Sequence, residues 1–444
     1  MRHILMVRHD GVPHATVIPP PRAELVSWIA VALVMNALYV YGSFVSRADL
    51  FGIDELRWVG PARYALCAGV VLMAALALGS TTARVPVDHP AVAAVTAALS
   101  FPVFFLLRTN FLNSDGNMLA PKIETGVSLV GAHLTHDELL ELFLHSRVWY
   151  YTHRWWGWSV VLSYQVVSCL AGAVFLYGVI RLARRVSPGA PWLFVAGALA
   201  GGYMQLFFGD IENYTVTAAL AIFYVLAACR FLAGEVGVWL PTVVLAVATC
   251  FHLEAGWLMP SLLYLFAKSR DRRGDLREVR TSAALGAAIL AATLVYFHFH
   301  GLPLRQFVSS HAGHALRMNG VFAVGVPLHY YVEQLNLLLL LCPAVGMLLP
   351  LAVWHRHDRD EPTTFLAVSA GSLLLFQAIW KAQLGVYEDW NLYAIGGMLT
   401  SLYIWRGVSA AARTPLLRMT AIALAASGGL HTYAWIIANH RYGR

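Results

Sequence analysis

The residues of this chain best suited to chemistry are a few carboxylates at the edges of apolar runs. Asp115, Asp210, Glu212, Glu388 and Asp389 each stand at the end of such a run, and the alternation of the runs puts all of them on one side of a membrane. A carboxylate beside hydrocarbon is costly, so acids gathered on one face point to a polar site at the bilayer surface. There a carboxylate can take a proton from an attacking hydroxyl or relay protons. Asn113-Ser114-Asp115-Gly116 consists of turn formers. It fits a reactive Asp at a span mouth and, equally, an Asp that caps backbone N–H groups. The hairpin Gly209-Asp210-Ile211-Glu212-Asn213-Tyr214 is more demanding. A turn between apolar spans needs Gly and one polar residue, not two acids, Asn and Tyr together, so function outweighs turn-making here. Tyr387-Glu388-Asp389-Trp390-Asn391 is a further acidic turn, whose adjacent carboxylates point apart so that one can face a site and the other water.

Cationic groups complement these acids. The segment 300–330 carries Arg305, His311, His314 and Arg317. If residues 305–318 are helical, His311 and His314 share a face and Arg317 lies near it. Guanidinium forks bind phosphate through paired hydrogen bonds, so this loop suits a lipid phosphate or pyrophosphate. Ordinary contact with anionic headgroups explains it equally well. His252 and Glu254 are expected to support other residues rather than bind a metal, because a two-residue separation on a helix splays side chains apart.

The elements that must position these groups are membrane helices. Apolar residues make up 59% of the chain and charged residues 12%, about half the charge of a soluble domain. The mean hydropathy is +0.62. The predicted fold is an all-α polytopic bundle of about thirteen spans. They include Leu25–Val45, Tyr64–Leu78, Trp192–Phe208, Tyr331–Trp354 and Leu417–Ile437. Val236–Phe266 reads as one long span or as two short ones. The net charge of +7 comes from Arg-rich short loops. This is the positive-inside pattern and not a nucleic-acid patch. With the N-terminus inside, Arg181–Arg185 and Lys268–Arg280 both fall in the cytoplasm, provided Val236–Phe266 crosses twice. Cys67, Cys169, Cys229, Cys250 and Cys342 lie within apolar runs without CxxC spacing, so no disulfide framework or zinc site is expected. Residues 1–444 read as one transmembrane domain: spans over 1–107, a long extracytoplasmic loop over 108–158, and the remaining spans over 159–444. Arg in place of Lys, with abundant Ala and Gly, points to a GC-rich bacterium and hence to a bacterial inner membrane.

Within the long loop, apolar residues at 139, 140, 143, 144 and 148 with acids opposite predict an amphipathic helix lying in the headgroup region. It runs into the aromatic cluster Trp149–Trp158, an interfacial anchor with a second capacity to stack on sugar rings.

This arrangement resembles the GT-C superfamily of integral-membrane glycosyltransferases. Members carry an Asp near the start of a long early extracytoplasmic loop, followed by interfacial helices. Here Asp115 stands in the Asp position, Leu139–Val148 in that of the interfacial helix, and Asp210-Ile211-Glu212 resembles an acidic motif of a later loop. Two departures stand out. The family's Asp loop usually follows the first span, not the third, and usually carries an Asp-Asp or Asp-Glu pair, whereas Gly116 follows Asp115. The resemblance implies transfer of a sugar from a polyprenyl-phosphate donor to a lipid, glycan or protein acceptor at the membrane. Asp115, Asp210 and Glu212 would be catalytic, and Arg305, His311, His314, Arg317, Glu388 and Asp389 would bind substrate. No organic cofactor is implied; a divalent ion, magnesium or manganese, is an alternative source of charge for the leaving phosphate. The competing class is a proton-coupled transporter or a lipid or sugar flippase, which would use the same acids as relays but commonly shows internal repeats. A non-catalytic scaffold would explain the spans but not the acidic turns.

Overall fold

In the computed structural model the described residues are 22–45, 50–58, 90–110, 116–126, 137–273, 276–304, 322–323, 326–355, 360–382 and 384–442. Asp115, Arg305, His311, His314, Arg317 and the expected span Tyr64–Leu78 lie outside them.

The described residues form helices α1 (Arg22–Phe44), α2 (Pro90–Leu106), α3 (Gly116–Gly126), α4 (Leu139–Trp156), α5 (Val160–Val186), α6 (Pro191–Ala198) and α7 (Thr215–Leu232). They continue with α8 (Trp239–Phe251), α9 (Met259–Arg273), α10 (Arg277–Phe299), α11 (Leu328–Leu341), α12 (Leu348–Trp354), α13 (Glu361–Ile379), α14 (Ala394–Ala411) and α15 (Pro415–Tyr442). Helix starts follow local chemistry. Ser159 accepts from Leu162 N at 3.1 Å to cap α5, and Asp360 accepts from Thr363 N at 2.9 Å to cap α13.

One row of packed helices runs α2–α5–α7–α8–α10; a second group joins α13, α14, α6 and α15. The core between them is apolar and aromatic, with Phe175, Phe194, Tyr224, Trp405 and Trp435 buried. The chain is a multi-pass helical membrane protein. Among the described residues six helices are long and apolar enough to cross a membrane, seven if the pair Leu328–Leu341 and Val345–Trp354 is one broken span. The expected number of about thirteen is not reached by this measure: Tyr64–Leu78 lies outside the described residues, α14 is not apolar enough, and α2, α6, α8 and α9 are shorter than the roughly 20 residues an independent span needs. The Tyr331–Trp354 span is bent by 97°, at Cys342-Pro343, where proline removes a backbone donor. Val236–Phe266 forms two helices. Leu253–Leu258 makes a 3-10 turn between α8 and α9, so the chain doubles back at His252–Glu254.

Charged loops collect at one end of the bundle. Arg185 and Arg230 both pair with Glu235, Lys268 and Arg272 pair with Glu361, and Arg406 pairs with Asp360 at 2.6 Å. Exposed pairs of this kind stabilise little, typically below about 1 kcal/mol each. Their value lies in position, since they tie together the basic loops expected in the cytoplasm. Cysteine labelling of Gly189→Cys, at this end, and of Arg154→Cys, near the aromatic end of α4, should report opposite membrane faces. Labelling of both from one side would defeat the topology. The background is low because the described native cysteines are buried.

Candidate active site

Acidic side chains gather at the other end, in two neighbouring clusters. The first is built on the turn between residues 208 and 215. Gly209 has φ +70°, and a Cβ there would lie 2.6 Å from Arg108 Cβ, so only glycine fits. This close approach lets Thr109 N donate to Phe208 O at 2.8 Å, while Gln165 Nε2 donates to Thr109 O at 2.8 Å. Further along the same loop, Gly116 packs against Ile211. The start of the long loop is thereby laid against the Asp210–Glu212 turn. Both acids of that turn are buried. Asp210 Oδ2 has no hydrogen-bond partner among the described residues. Burial pushes its carboxyl up to about 7, against the lowering effect of the Ile211 backbone N–H. Asp210 is therefore poised to exchange a proton near neutrality.

Helix α4 covers this turn in an unexpected orientation. It is amphipathic as the sequence predicts, but its acids do not face water. Glu141 is fully buried and accepts from Val216 N at 3.1 Å and from the hydroxyls of Thr215 and Thr217, each at 3.3 Å. It thus caps the N-terminus of α7, where exposed N–H groups and the helix dipole favour a carboxylate. Glu138 accepts from Asn213 Nδ2 at 2.9 Å, and Asn213 Oδ1 accepts from Tyr164 Oη at 3.0 Å. His145 stacks on Tyr164 with ring centroids 3.7 Å apart and lies 3.7 Å from Glu141. Glu138, Glu141 and His145 share one helix face, and in an apolar setting that polar face turns inward. The apolar side meets α10, where Phe143 packs edge-on to Phe297. Tyr151, Trp155 and Trp156 remain exposed, as an interfacial anchor requires.

His252 and Glu254 close the far side of this cluster. His252 packs at a tilt against the Tyr214 ring, lies 3.9 Å from Glu138, and accepts from Glu254 N at 3.1 Å. Burial holds the imidazole below its usual range, opposed by Asp137 and Glu141. Glu254 is buried with both carboxyl oxygens lacking partners among the described residues, and burial holds it well above the usual carboxylate range.

The second cluster contains residues that the sequence reading passed over. Asp54 and Glu55 follow α1 and are fully buried. Arg57 pairs with Asp54 at 3.0 Å. The segment is clamped from both sides. Gly52 N donates to Asn336 Oδ1 at 3.0 Å, and a Cβ on Gly52 would fall 1.9 Å from Asn336 O. Asp54, Glu55 and Glu388 all act electrostatically on the Tyr387 hydroxyl. Glu388 is exposed and Asp389 buried, as expected for adjacent carboxylates. Asp389 Oδ2 accepts from Leu384 N at 2.9 Å, which gives it a turn-closing role. The signal for Asp54-Glu55 was present in the sequence. It is an acidic pair directly after the first span, the feature missing at Asp115. Its neighbours Arg57 and Trp58 made it look like an ordinary loop.

Helix α15 joins the two clusters. Trp435 packs against Tyr387 and Trp390, and Thr109 Oγ1 donates to Asn439 O at 3.3 Å. Those two α15 positions are about 6 Å apart along the helix. Among the described residues no group of three or more His, Cys, Asp or Glu side chains is arranged to hold a metal ion.

Two crystal structures of ArnT from Cupriavidus metallidurans match this architecture. One is bound to undecaprenyl phosphate, with TM-score 0.52 and 13% identity over 79% of this chain and 77% of that one. The other is the apo state, with TM-score 0.52 and 12% identity over 78% and 76%. The fold is similar to that of ArnT. No protein-family model matches the chain, and no curated protein is significantly similar in sequence.

Proposed function

We propose that this chain is a membrane glycosyltransferase that moves a sugar from a polyprenyl-phosphate donor to an acceptor hydroxyl at the membrane surface. The observation that carries this reading is the buried acidic end of the bundle, within a fold similar to that of ArnT, which has been crystallised with undecaprenyl phosphate. Transfer needs a base for the acceptor hydroxyl and positive charge for the leaving phosphate. Asp54 is the preferred base, ahead of Asp115, because it is buried beside Glu55 and held by Arg57. Asp210 and Glu212 line the acceptor side, and the aromatic end of α4 offers ring faces for a sugar. Arg305 and Arg317 hold the phosphate. Base and leaving group on opposite faces of the sugar make single-step inversion the simplest course. The test is transfer from an undecaprenyl-phosphate sugar by the purified chain in detergent. Arg317→Lys keeps the charge but loses the planar fork, so it should raise the KM for donor more than it lowers the melting temperature. An unchanged donor KM in Arg317→Ala would move the phosphate site elsewhere.

A second reading, proton-coupled transport or flipping, is favoured by the broken span between α11 and α12, a feature common in transporters. Transfer in detergent, where no gradient exists, would dismiss it. Substrate movement across proteoliposomes without any transfer would instead support it.

The raised Asp210 carboxyl has a pH consequence. A carboxyl held above its unfolded value of 3.8 contributes stability that is fully present below that value and is lost as pH rises through about 7. The melting temperature should therefore fall between pH 5 and 8 more steeply in the wild type than in Asp210→Asn. Parallel profiles would show that Asp210 titrates normally.

A further inference from the structure

The C-terminal end of α5 carries a second polar feature that the acidic clusters leave unused. Arg181, Arg184 and Arg185, with Pro188 and Pro191, line a half-open cavity of about 290 Å³. Arg184 and Arg185 stand three and four residues after Arg181, so each neighbours it on the helix surface. Two of them are oriented by the protein. Arg181 Nη1 donates to Tyr177 Oη at 3.0 Å with its guanidinium over the Tyr177 ring, and Arg185 pairs with Glu235. Glu235 is shared with Arg230, so one carboxylate serves two guanidinium groups. Each guanidinium has five N–H donors, and most of those on Arg181 and Arg185 remain after these contacts.

From these observations we infer that this cavity is a phosphate-binding site at the basic end of the bundle, independent of the proposed active site. A volume of about 290 Å³ sits at the foot of the range of roughly 300–1,000 Å³ for small-molecule pockets, so it admits a phosphate headgroup rather than a whole lipid or an oligosaccharide. The site stands at the C-terminal end of α5, a helix long and apolar enough to cross a membrane, where lipid phosphates would be within reach. Tyr164, in the acidic cluster, and Arg181 are 17 residues apart on α5, about 26 Å of helix, so an anion here is not the donor phosphate at the acidic end. A scattered basic loop would attract headgroups diffusely. Arginines that line one cavity, two of them pre-oriented by Tyr177 and Glu235, instead favour one phosphate group held by paired hydrogen bonds. That group is supplied by an anionic lipid headgroup or by a free phosphate.

The test uses the purified full chain in neutral detergent, probed separately with phosphatidylglycerol, phosphatidylcholine and inorganic phosphate. Native mass spectrometry counts retained lipid, and thermal melting reports stabilisation. Phosphatidylglycerol should be retained and should stabilise the wild type, with affinity about tenfold lower in Arg181→Gln/Arg184→Gln. That result assigns the lipid source. Stabilisation by inorganic phosphate alone, lost in the same variant, assigns the soluble one. Arg184→Gln, at an exposed side chain, provides the comparison if the double variant melts early without ligand. Equal response of wild type and variants to both probes, or retention of phosphatidylcholine as strong as that of phosphatidylglycerol, would overturn the proposal.

Discussion

Asp54→Asn is expected to abolish sugar transfer while leaving the chain folded and inserted. A positioned general base contributes about 10²–10⁴-fold, roughly 3–5 kcal/mol of barrier. Asn keeps the shape of Asp and can still meet Arg57, but it cannot take a proton from an acceptor hydroxyl. Loss of transfer should appear in kcat, with the melting temperature and the donor KM close to wild type. Asp115→Asn, measured beside it, separates the two candidates. If Asp54→Asn remains active and Asp115→Asn does not, the base belongs to the long loop. If neither variant loses activity, the role passes to Asp210 or Glu212.

The second large effect is on stability and falls on Glu141. Glu141→Leu removes the acceptor for Val216 N–H and for the hydroxyls of Thr215 and Thr217, leaving buried donors at the start of α7 without partners. Hydrogen bonds to charged groups contribute about 1.5–3 kcal/mol each, and stranded donors cost their desolvation as well, so a loss on the order of 3 kcal/mol is expected. Glu141→Gln keeps an acceptor oxygen and should lose much less. Because α4 and α7 both hold the turn that carries Asp210 and Glu212, Glu141→Leu should also depress transfer below the level its folded fraction predicts. A melting temperature unchanged in Glu141→Leu would show that α4 is not fastened to α7 through this carboxylate.

Part of the candidate site was legible in short patterns. The Gly209–Tyr214 hairpin stood out because two acids and an Asn beside hydrocarbon have few structural uses, and the structure buries both acids against the start of the long loop. Asp54-Glu55 was legible in principle and was passed over, since a pair of acids near Arg57 in a short loop resembles any solvated turn. Packing of this segment against α1 and α15, with Gly52 closed onto Asn336 284 residues away, removes that pair from water. The acids of α4 were read with the wrong orientation. Periodicity gives two faces but not which medium each one meets, and beside a membrane the polar face is the one that turns toward protein.

The sequence by itself determined the membrane-helical class of this protein and the gathering of its basic short loops at one end, but not the number of its spans. Hydrophobic length and the cost of charge in hydrocarbon act on each segment separately, without reference to its neighbours. Tertiary structure alone decided which ends become one site. The distance from Asp54 to Glu388, or from Glu141 to Thr215, is set by helix packing between segments far apart in the chain. No local pattern encodes that packing, because every apolar span is nearly interchangeable with every other as a partner for lipid.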